Sequence, residues 1–491
     1  MNCYLGIDLG TSSVKVILMQ VDGVILRTVS ESYPIEYPAP GWSQQNPADW
    51  WNAVRKAVKK ITGDTEKNEI RGISFGGQMH GLVVLDKKDQ VIRPAILWND
   101  TRSREETEYL NQRVSTKRLI SLTGNIAYAG FTAPKLMWMK KNEPELFERI
   151  DKIMLPKDYL AYCFCKIHCT DYSDASGSLI LDVEHKCWSK EMMDLLEIEK
   201  HQLPKLYESS EVVGTILPAI ARELQMDPTT KIIAGAGDNA AAAIGTGTTE
   251  DGACTISIGT SGTVFIASNH FVSDRNHTLH MFAHANGKYH LLGCILSAAS
   301  CNKWWMEEIL KTNHFKEEQD SVRELGKNHV FFLPYLMGER SPHNDSEARG
   351  TFTGLTMDTK REDMTQAVLE GVAFALRDVL EAAKTLGIEV KEAKLCGGGT
   401  KSILWRKILA AVLNITLVIP ESEEGPSLGA AMLAAVGCGE YSTVEQAGKK
   451  IVRELKKIEP EEELSQRYEV CYKKYHSIYP VMQKLFQTLS E

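Results

Sequence analysis

The chain lacks any apolar run of the ~18 residues needed to cross a membrane, so no membrane-spanning role is expected. It also lacks a basic stripe. Its 56 lysines and arginines are scattered and outnumbered by 64 acidic residues, giving a net charge of -8 and no surface suited to nucleic acid. No secretory leader is expected, because the first apolar stretch is short and runs straight into Asp8. There is no P-loop of the form G-x-x-x-x-G-K-[ST] and no H-R-D or D-F-G set, so any phosphoryl transfer needs a different cradle. Cysteine is present but not in a disulfide pattern. Eleven of them, an odd number at irregular spacing, favour reduced thiols and a cytoplasmic setting.

What the chain does have is size, an ordinary globular composition and a repeated turn. At 491 residues with 43% hydrophobic and 24% charged residues, two domains are expected. The run Tyr4-Leu5-Gly6-Ile7-Asp8-Leu9 meets Gly10-Thr11-Ser12 and then a second β-rich stretch, Val14 to Leu18. About half a chain length later, Cys254 to Ile258 meets Gly259-Thr260-Ser261 and then Thr263 to Ile266. Glycine permits the tight turn, and turn amides with hydroxyls supply donors for phosphate oxygens. Two such turns point to a nucleotide cradle that closes from two sides.

Between and around them, strand and helix signals alternate. A hairpin is expected at Val21-Asp22-Gly23-Val24 and a helix after Pro47. A strand over 70–75 ends in Gly76-Gly77-Gln78-Met79-His80, and strand character returns over 82–86. Ile232-Ile233-Ala234 leads into Gly235-Ala236-Gly237-Asp238-Asn239 and a small-residue helix over 240–244. The stretch 245–252 reads as an interdomain connection. Leu395 to Thr400 ends a strand and opens a helix, and Pro426 starts another. The Lys/Glu-rich stretch 449–463 reads as a solvated helical face. The pattern is that of an α/β fold with sites at the strand ends.

Two carboxylates carry the chemistry. Asp8 lies beside the first phosphate turn, where a carboxylate needs an intervening cation, so it is read as holding Mg²⁺ through water rather than as a simple turn cap. Asp238 follows a buried strand near a helix start, placed to accept a proton from an attacking hydroxyl; an ordinary N-cap is the bland alternative. Gly235 to Ala240 also matches the dinucleotide fingerprint G-x-G-x-x-A. The acidic residue expected about 20 positions later is replaced by a phosphate turn, so a dehydrogenase is a minor alternative. Gln78, Met79 and His80 offer an amide, a soft apolar wall and an imidazole suited to a polyol or keto sugar. Trp98, Asn99, Asp100 and Arg102 extend the same candidate pocket. The cluster Cys163, Cys165, His168 and Cys169 carries metal-type donors without a second ligand pair, and Cys163, Cys165 and Ile167 are read as buried small apolar residues on one face of an extended segment.

These residues resemble the FGGY carbohydrate kinases over essentially the whole chain. Two family signatures fit, Gly130-Phe131-Thr132-Ala133-Pro134-Lys135 to Asn142 and Gly350 to Glu370. Supporting segments are Gly77 to Gly81, Leu97 to Asp100, Leu155 to Leu160, Asp171 to Gly177, and Leu333 to Leu336 with Gly338-Glu339-Arg340. The resemblance implies two RNase H-like domains of the actin/hexokinase-like ATPase class around a central cleft. It implies an N-terminal domain over 1–246 for sugar and a C-terminal domain over 247–491 for ATP. On the same basis Asp238 is the general base, and Met79, His80, Asp238 and Asn239 meet the ketopentose. Thr11, Ser12 and Thr260 meet ATP phosphates, Gly398, Gly399 and Ser402 lie near adenosine, and Asp8 is the metal-associated aspartate. The activity implied is ATP- and Mg²⁺-dependent phosphorylation of D-xylulose at its C5 hydroxyl. A kinase for another ketose or polyol such as ribulose is the nearer alternative, and an actin- or chaperone-like ATPase the more distant one. The implied partners are a small sugar and ATP. The sequence leaves oligomeric state open, with a homodimer among the options.

Overall fold

In the computed structural model, which describes residues 2–63, 70–274 and 276–490, two seven-stranded sheets repeat one plan. Apolar residues at the start of the chain form β1 (Cys3–Leu9) and β2 (Ser13–Gln20), and β3 (Ile25–Ser32) completes an antiparallel meander. Gly23 turns β2 into β3 at φ 91°, a conformation that only glycine adopts cheaply. Next comes α1 (Pro47–Thr62). Asn46 caps it through its side-chain oxygen, which accepts from the Ala48 N–H at 3.1 Å, a contribution of about 1 kcal/mol. Its buried face, with Trp50, Val54, Val58 and Ile61, covers β2 and β3.

β4 (Ile70–Gly77) then lies parallel to β1. The chain leaves the sheet for an insertion that includes α2 (Thr132–Asn142), α3 (Pro156–Cys165) and α4 (Tyr172–Ser176). It returns as β5 (Val212–Thr215), β6 (Lys231–Ile233) and the short β7 (Ala236–Gly237), and passes directly into α5 (Asp238–Gly245). The first sheet has the order β5-β6-β4-β1-β2-β3, with β7 also paired to β4.

The second half contributes β8 (Cys254–Ile258), β9 (Gly262–Ser268), β10 (His280–Ala283), β11 (Tyr289–Ile295) and α6 (Ala299–Lys303). These are followed by α7 (Arg361–Thr385), β12 (Glu392–Cys396), α8 (Ile403–Leu413), β13 (Thr416–Pro420), α9 (Gly425–Gly437) and β14 (Glu454–Ile458). Their order is β10-β11-β9-β8-β12-β13-β14. In each sheet an antiparallel hairpin, β1–β2 or β8–β9, adjoins two parallel strands reached by crossovers, and an antiparallel edge strand ends the row. This is the duplicated actin/hexokinase-like arrangement expected from the sequence.

The two sheets are not independent. Helix α9 belongs to the second half of the chain but packs on β1, β4 and α5 of the first. Glycines make that approach possible: a Cβ built on Gly6 would lie 1.9 Å from the Ser427 carbonyl oxygen, and one on Gly429 would lie 1.8 Å from that of Ala241. A side chain at Gly6 would force α9 off the sheet, and one at Gly429 would force it off α5.

Two local readings are corrected. The Lys/Glu-rich stretch is not one solvated helix, since residues 454–458 form the exposed edge strand β14. Charge on an edge strand discourages pairing with another chain, which explains why the composition misled. The cysteine cluster is not extended either. Cys163 and Cys165 lie in α3, Lys166 ends that helix in a left-handed conformation, and the His168 ring bonds the Ile153 carbonyl at 3.0 Å.

Candidate active site

The first sheet sets the site through register. Asp8 on β1 lies beside Gly76 on β4, which lies beside Ala236 on β7. One step further, Leu9, Gly77 and Gly237 form the next row, and Asp238 begins α5 directly beyond it. Three strand ends therefore deliver two carboxylates to one edge of the sheet. Burial pushes the Asp238 carboxyl up to about 6, partly offset by the Asn239 N–H, which donates to its Oδ1 at 2.7 Å. Asp8 is pushed up to about 7, first by burial and then by the negative charge of Asp238, with the facing Lys15 pulling the other way. Lys15 itself pairs with Glu424 at 2.9 Å.

Asp238 is pinned from behind. The Gly237 N–H donates to Ser173 Oγ at 3.1 Å, and Ser173 Oγ donates to Asp171 at 2.5 Å. Asp171 also holds the fully buried Lys157 at 2.9 Å, whose second carboxylate partner, Asp158, is 2.7 Å away. The lysine stem packs on Gly77, where an added Cβ would come within 2.8 Å of it. This array was not read from the sequence, although its residues fell within segments quoted for the family resemblance. No local pattern distinguishes a lysine that pairs with an aspartate in a different element.

The sugar-type wall forms at the end of β4. Met79 is buried, packs against Gly237 and Gly177, and lies 3.9 Å from the Asn239 side-chain nitrogen. His80 takes φ 69°, and its Nδ1 donates to the Gly177 carbonyl at 2.7 Å. A carbonyl only accepts, so the proton is on Nδ1 and Nε2 keeps its lone pair. Burial holds the ring neutral, down to about 3, and it stacks on Phe131 with centroids 4.5 Å apart. Trp98 is 41% exposed, and its indole N–H donates to Thr11 Oγ1 at 3.0 Å, tying the wall to the first phosphate turn.

Gln78 lies deeper. It is 2% exposed, and its amide donates to Gln45 at 3.2 Å. Asp100 and Arg102 likewise do not extend the pocket. They pair with each other at 2.8 Å with both side chains fully buried, and the guanidinium sits 4.0 Å from the Trp42 ring centroid.

In the second lobe a cavity of about 660 Å³ is lined by Thr260, Ser300, Asn302, Gly398, Gly399 and Ser402, among others. Ser402 caps α8 by accepting from the Trp405 N–H at 3.0 Å, and its hydroxyl donates to Gln319 at 2.6 Å. A Cβ on Gly399 would fall 2.5 Å from Ile258, whereas one on Gly398 would meet nothing within 4 Å. Gly399 therefore keeps the turn close to β8, and Gly398 leaves the cavity mouth open. Thr260 is exposed at the rim, its carbonyl occupied by the Ala298 N–H at 2.9 Å and the Ser300 hydroxyl at 2.7 Å. Thr11 and Ser12 do not line this cavity; they form the turn of the first lobe. Asn302 and Gln319 were missed from the sequence, because neither stands near a glycine turn.

Among the described residues no group of three or more His, Cys, Asp or Glu side chains gathers to hold a metal. The donor set at the sheet edge is instead one poorly solvated carboxylate, Asp8, beside a phosphate-type turn. That suits Mg²⁺, which takes one or two carboxylates and completes its shell with water and phosphate oxygens.

A duplicated lobe pair with a phosphate-type turn in each half and a carboxylate at the shared edge defines an ATP-dependent phosphotransferase of the actin/hexokinase-like class. The chain belongs to the FGGY family of carbohydrate kinases: residues 3–245 match the family's N-terminal domain and residues 254–438 its C-terminal domain. It is 40% identical over 450 residues to the xylulose kinase of Escherichia coli K12, covering 90% of this chain and 92% of that protein. A solved Brucella ovis structure described as a xyloylose kinase superposes with a TM-score of 0.93 at 38% identity, over 99% of this chain and 100% of that one. A gluconate kinase structure from Lactobacillus acidophilus superposes with a TM-score of 0.95 at 26% identity, over 99% of both chains. The backbone is thus shared by kinases named for different acceptors.

Proposed function

We propose that this kinase transfers the γ-phosphoryl group of ATP to the C5 hydroxyl of D-xylulose, giving D-xylulose 5-phosphate and ADP, with Asp238 as general base. The observation that carries this reading is the row of strand ends. It sets Asp238 beside Met79 and Asn239 on one side and within the electrostatic reach of Asp8 on the other. The relatives named for xylulose support the choice of sugar.

The sugar rests against Met79, His80, Asn239 and the exposed face of Trp98, with Gln78 bracing the wall from beneath. His80 Nε2 accepts from a sugar hydroxyl. Asp238 takes the proton of the C5 hydroxyl as the oxygen attacks, and a base so placed contributes about 10²–10⁴-fold. Thr11 and Ser12 from one lobe and Thr260 from the other donate to phosphate oxygens, and Gly398, Gly399 and Ser402 shape the nucleoside cavity. Bound Mg²⁺ would neutralise phosphate charge, and Asp8 is the residue that would hold it, through water. Closure of the two lobes on each other excludes the water that would otherwise accept the phosphoryl group. No two of the eleven cysteines are joined in a disulfide, which supports a cytoplasmic setting.

A panel of D-xylulose, D-ribulose, L-ribulose and glycerol in a coupled ADP assay tests the reading. D-xylulose is expected to give the highest kcat/KM by about tenfold or more, the discrimination that a few hydrogen-bonded hydroxyls supply. Preference for another member of the panel would reassign the sugar. ATP turnover indifferent to all four would replace the kinase with a switch-type ATPase.

A further inference from the structure

Lys135 is fully buried at the first turn of α2, and among the described residues no ion pair involves its ammonium group. Its Nζ donates instead to two main-chain carbonyls, that of His80 at 2.9 Å and that of Gly130 at 2.7 Å. The His80 carbonyl receives a second donor, the Thr132 hydroxyl, at 3.1 Å. His80 is the residue held at φ 69°, a left-handed conformation that strains a non-glycine side chain. Gly130 touches the other side of the wall, since a Cβ there would fall 2.3 Å from the Trp98 carbonyl oxygen. A desolvated lysine and a strained histidine both cost stability. Each is maintained here by the other, at His80, which carries the imidazole of the candidate sugar pocket, and at Gly130, which abuts the backbone of Trp98.

We infer that Lys135, with Thr132, is a positioning residue: it clamps the His80 and Gly130 carbonyls and so fixes the imidazole and the Trp98 wall at the spacing a ketose requires. Lys135 does not touch the sugar. It acts through the backbone of residues that do, so this role rests on the proposed sugar pocket. The clamp explains why the helix start carries a lysine and a threonine facing inward, where apolar residues would fill the same space at lower cost. Without it the strained backbone at His80 relaxes toward negative φ and swings the ring off Gly177 and Phe131.

Steady-state kinetics of Lys135→Met and Thr132→Val, each alone and combined with His80→Ala, test this. Lys135→Met is expected to raise the KM for D-xylulose tenfold or more and leave the KM for ATP within twofold. Thr132→Val is expected to give about a threefold rise of the same kind, in line with losing one hydrogen bond. In the His80→Ala background the Lys135→Met effect on sugar KM is expected to shrink to threefold or less, because the group it positions is gone. Equal changes in both KM values, or effects that multiply fully with His80→Ala, would overturn the clamp. If Lys135→Met does not fold, the Thr132→Val pair carries the same comparison. A His80→Ala enzyme with unchanged sugar KM would overturn the pocket reading and the clamp together, whereas a raised KM in His80→Ala with none in Lys135→Met or Thr132→Val would overturn the clamp alone.

Discussion

The two Gly-Thr-Ser turns occupy matching places in the two sheets, yet only the first carries an acid. Asp8 stands two residues before Gly10, and in the second turn that place is taken by Ser257, two residues before Gly259. The surroundings differ in the same sense. The first turn is braced: Thr11 Oγ1 accepts from Trp98, the Thr11 carbonyl accepts from Gln45 at 2.7 Å, and Tyr33 donates to the Gly10 carbonyl. The second turn opens on a cavity with Thr260 exposed at its rim. One backbone device has been specialised twice. Both turns are hydrogen-bonded to their surroundings; in the proposed reading the acidic copy would lie beside the reacting hydroxyl and the neutral copy, at the cavity, would take the nucleotide. The two copies differ by one charge, and that difference can be perturbed from either side.

The largest expected effect removes the base at the acidic edge. Asp238→Asn should lower kcat about 10³-fold while leaving ATP affinity, read by fluorescence titration, within twofold. Near-normal turnover would mean that the edge carboxylate is structural. In the unaltered enzyme kcat/KM for sugar should fall as pH drops through about 6, where Asp238 becomes protonated and can no longer accept a proton. Stability should move the opposite way. A carboxyl whose folded pKa lies above its unfolded value penalises the fold when ionised, so Asp238→Asn should raise the melting temperature at pH 8. That gain should fade as pH falls from about 6 toward about 4, where the carboxyl is protonated in both states. A variant less stable at pH 8 would contradict the desolvated environment assigned to Asp238.

Next in size is the acid of the first turn itself. Asp8→Asn should lower kcat about 10²-fold and raise the Mg²⁺ concentration needed for half-maximal rate about tenfold, measured by metal titration at saturating sugar and ATP. The shift in Mg²⁺ dependence matters more than the loss of rate. If kcat falls with an unchanged metal titration, Asp8 serves Asp238 electrostatically and the metal is held elsewhere.

How much of this was legible in the sequence follows from how local each feature is. The turns and the hairpins on either side of them are set by a few consecutive residues, and the structure puts Asp8 near the end of β1 and Asp238 at the start of α5. The shared order of the two sheets was visible only through the family resemblance, because which strands pair is decided by long crossovers. Gln78 was read as wall, but its amide turns toward Gln45, 33 positions away in sequence. Asp100 and Arg102 were read as pocket and instead satisfy each other, since a buried ion pair two residues apart looks in sequence like two free polar groups. Lys135 reaches His80 across 55 positions, and Ser173 reaches Gly237 across 64. Each such pair joins two segments far apart in sequence, so neither segment announces the contact.

The smallest expected effect comes from giving the second turn the acid it lacks. Ser257 sits on β8 opposite Thr263, the place that Asp8 holds opposite Lys15 on β1. Ser257→Asp would add a negative charge near the phosphates with no lysine facing it. At an effective dielectric of ~40 and a separation of ~8 Å, a unit charge repels another by about 1 kcal/mol, equivalent to about fivefold in affinity. The KM for ATP should rise by about that factor while sugar KM and the pH dependence set by Asp238 stay fixed, with a melting curve to show that the β8–β9 hairpin is intact. Raising the salt concentration should shrink the difference, as expected for a partly exposed charge. Should Ser257→Asp instead raise sugar KM, the second turn would be acting on the acceptor, and the division of labour between the two copies would fail.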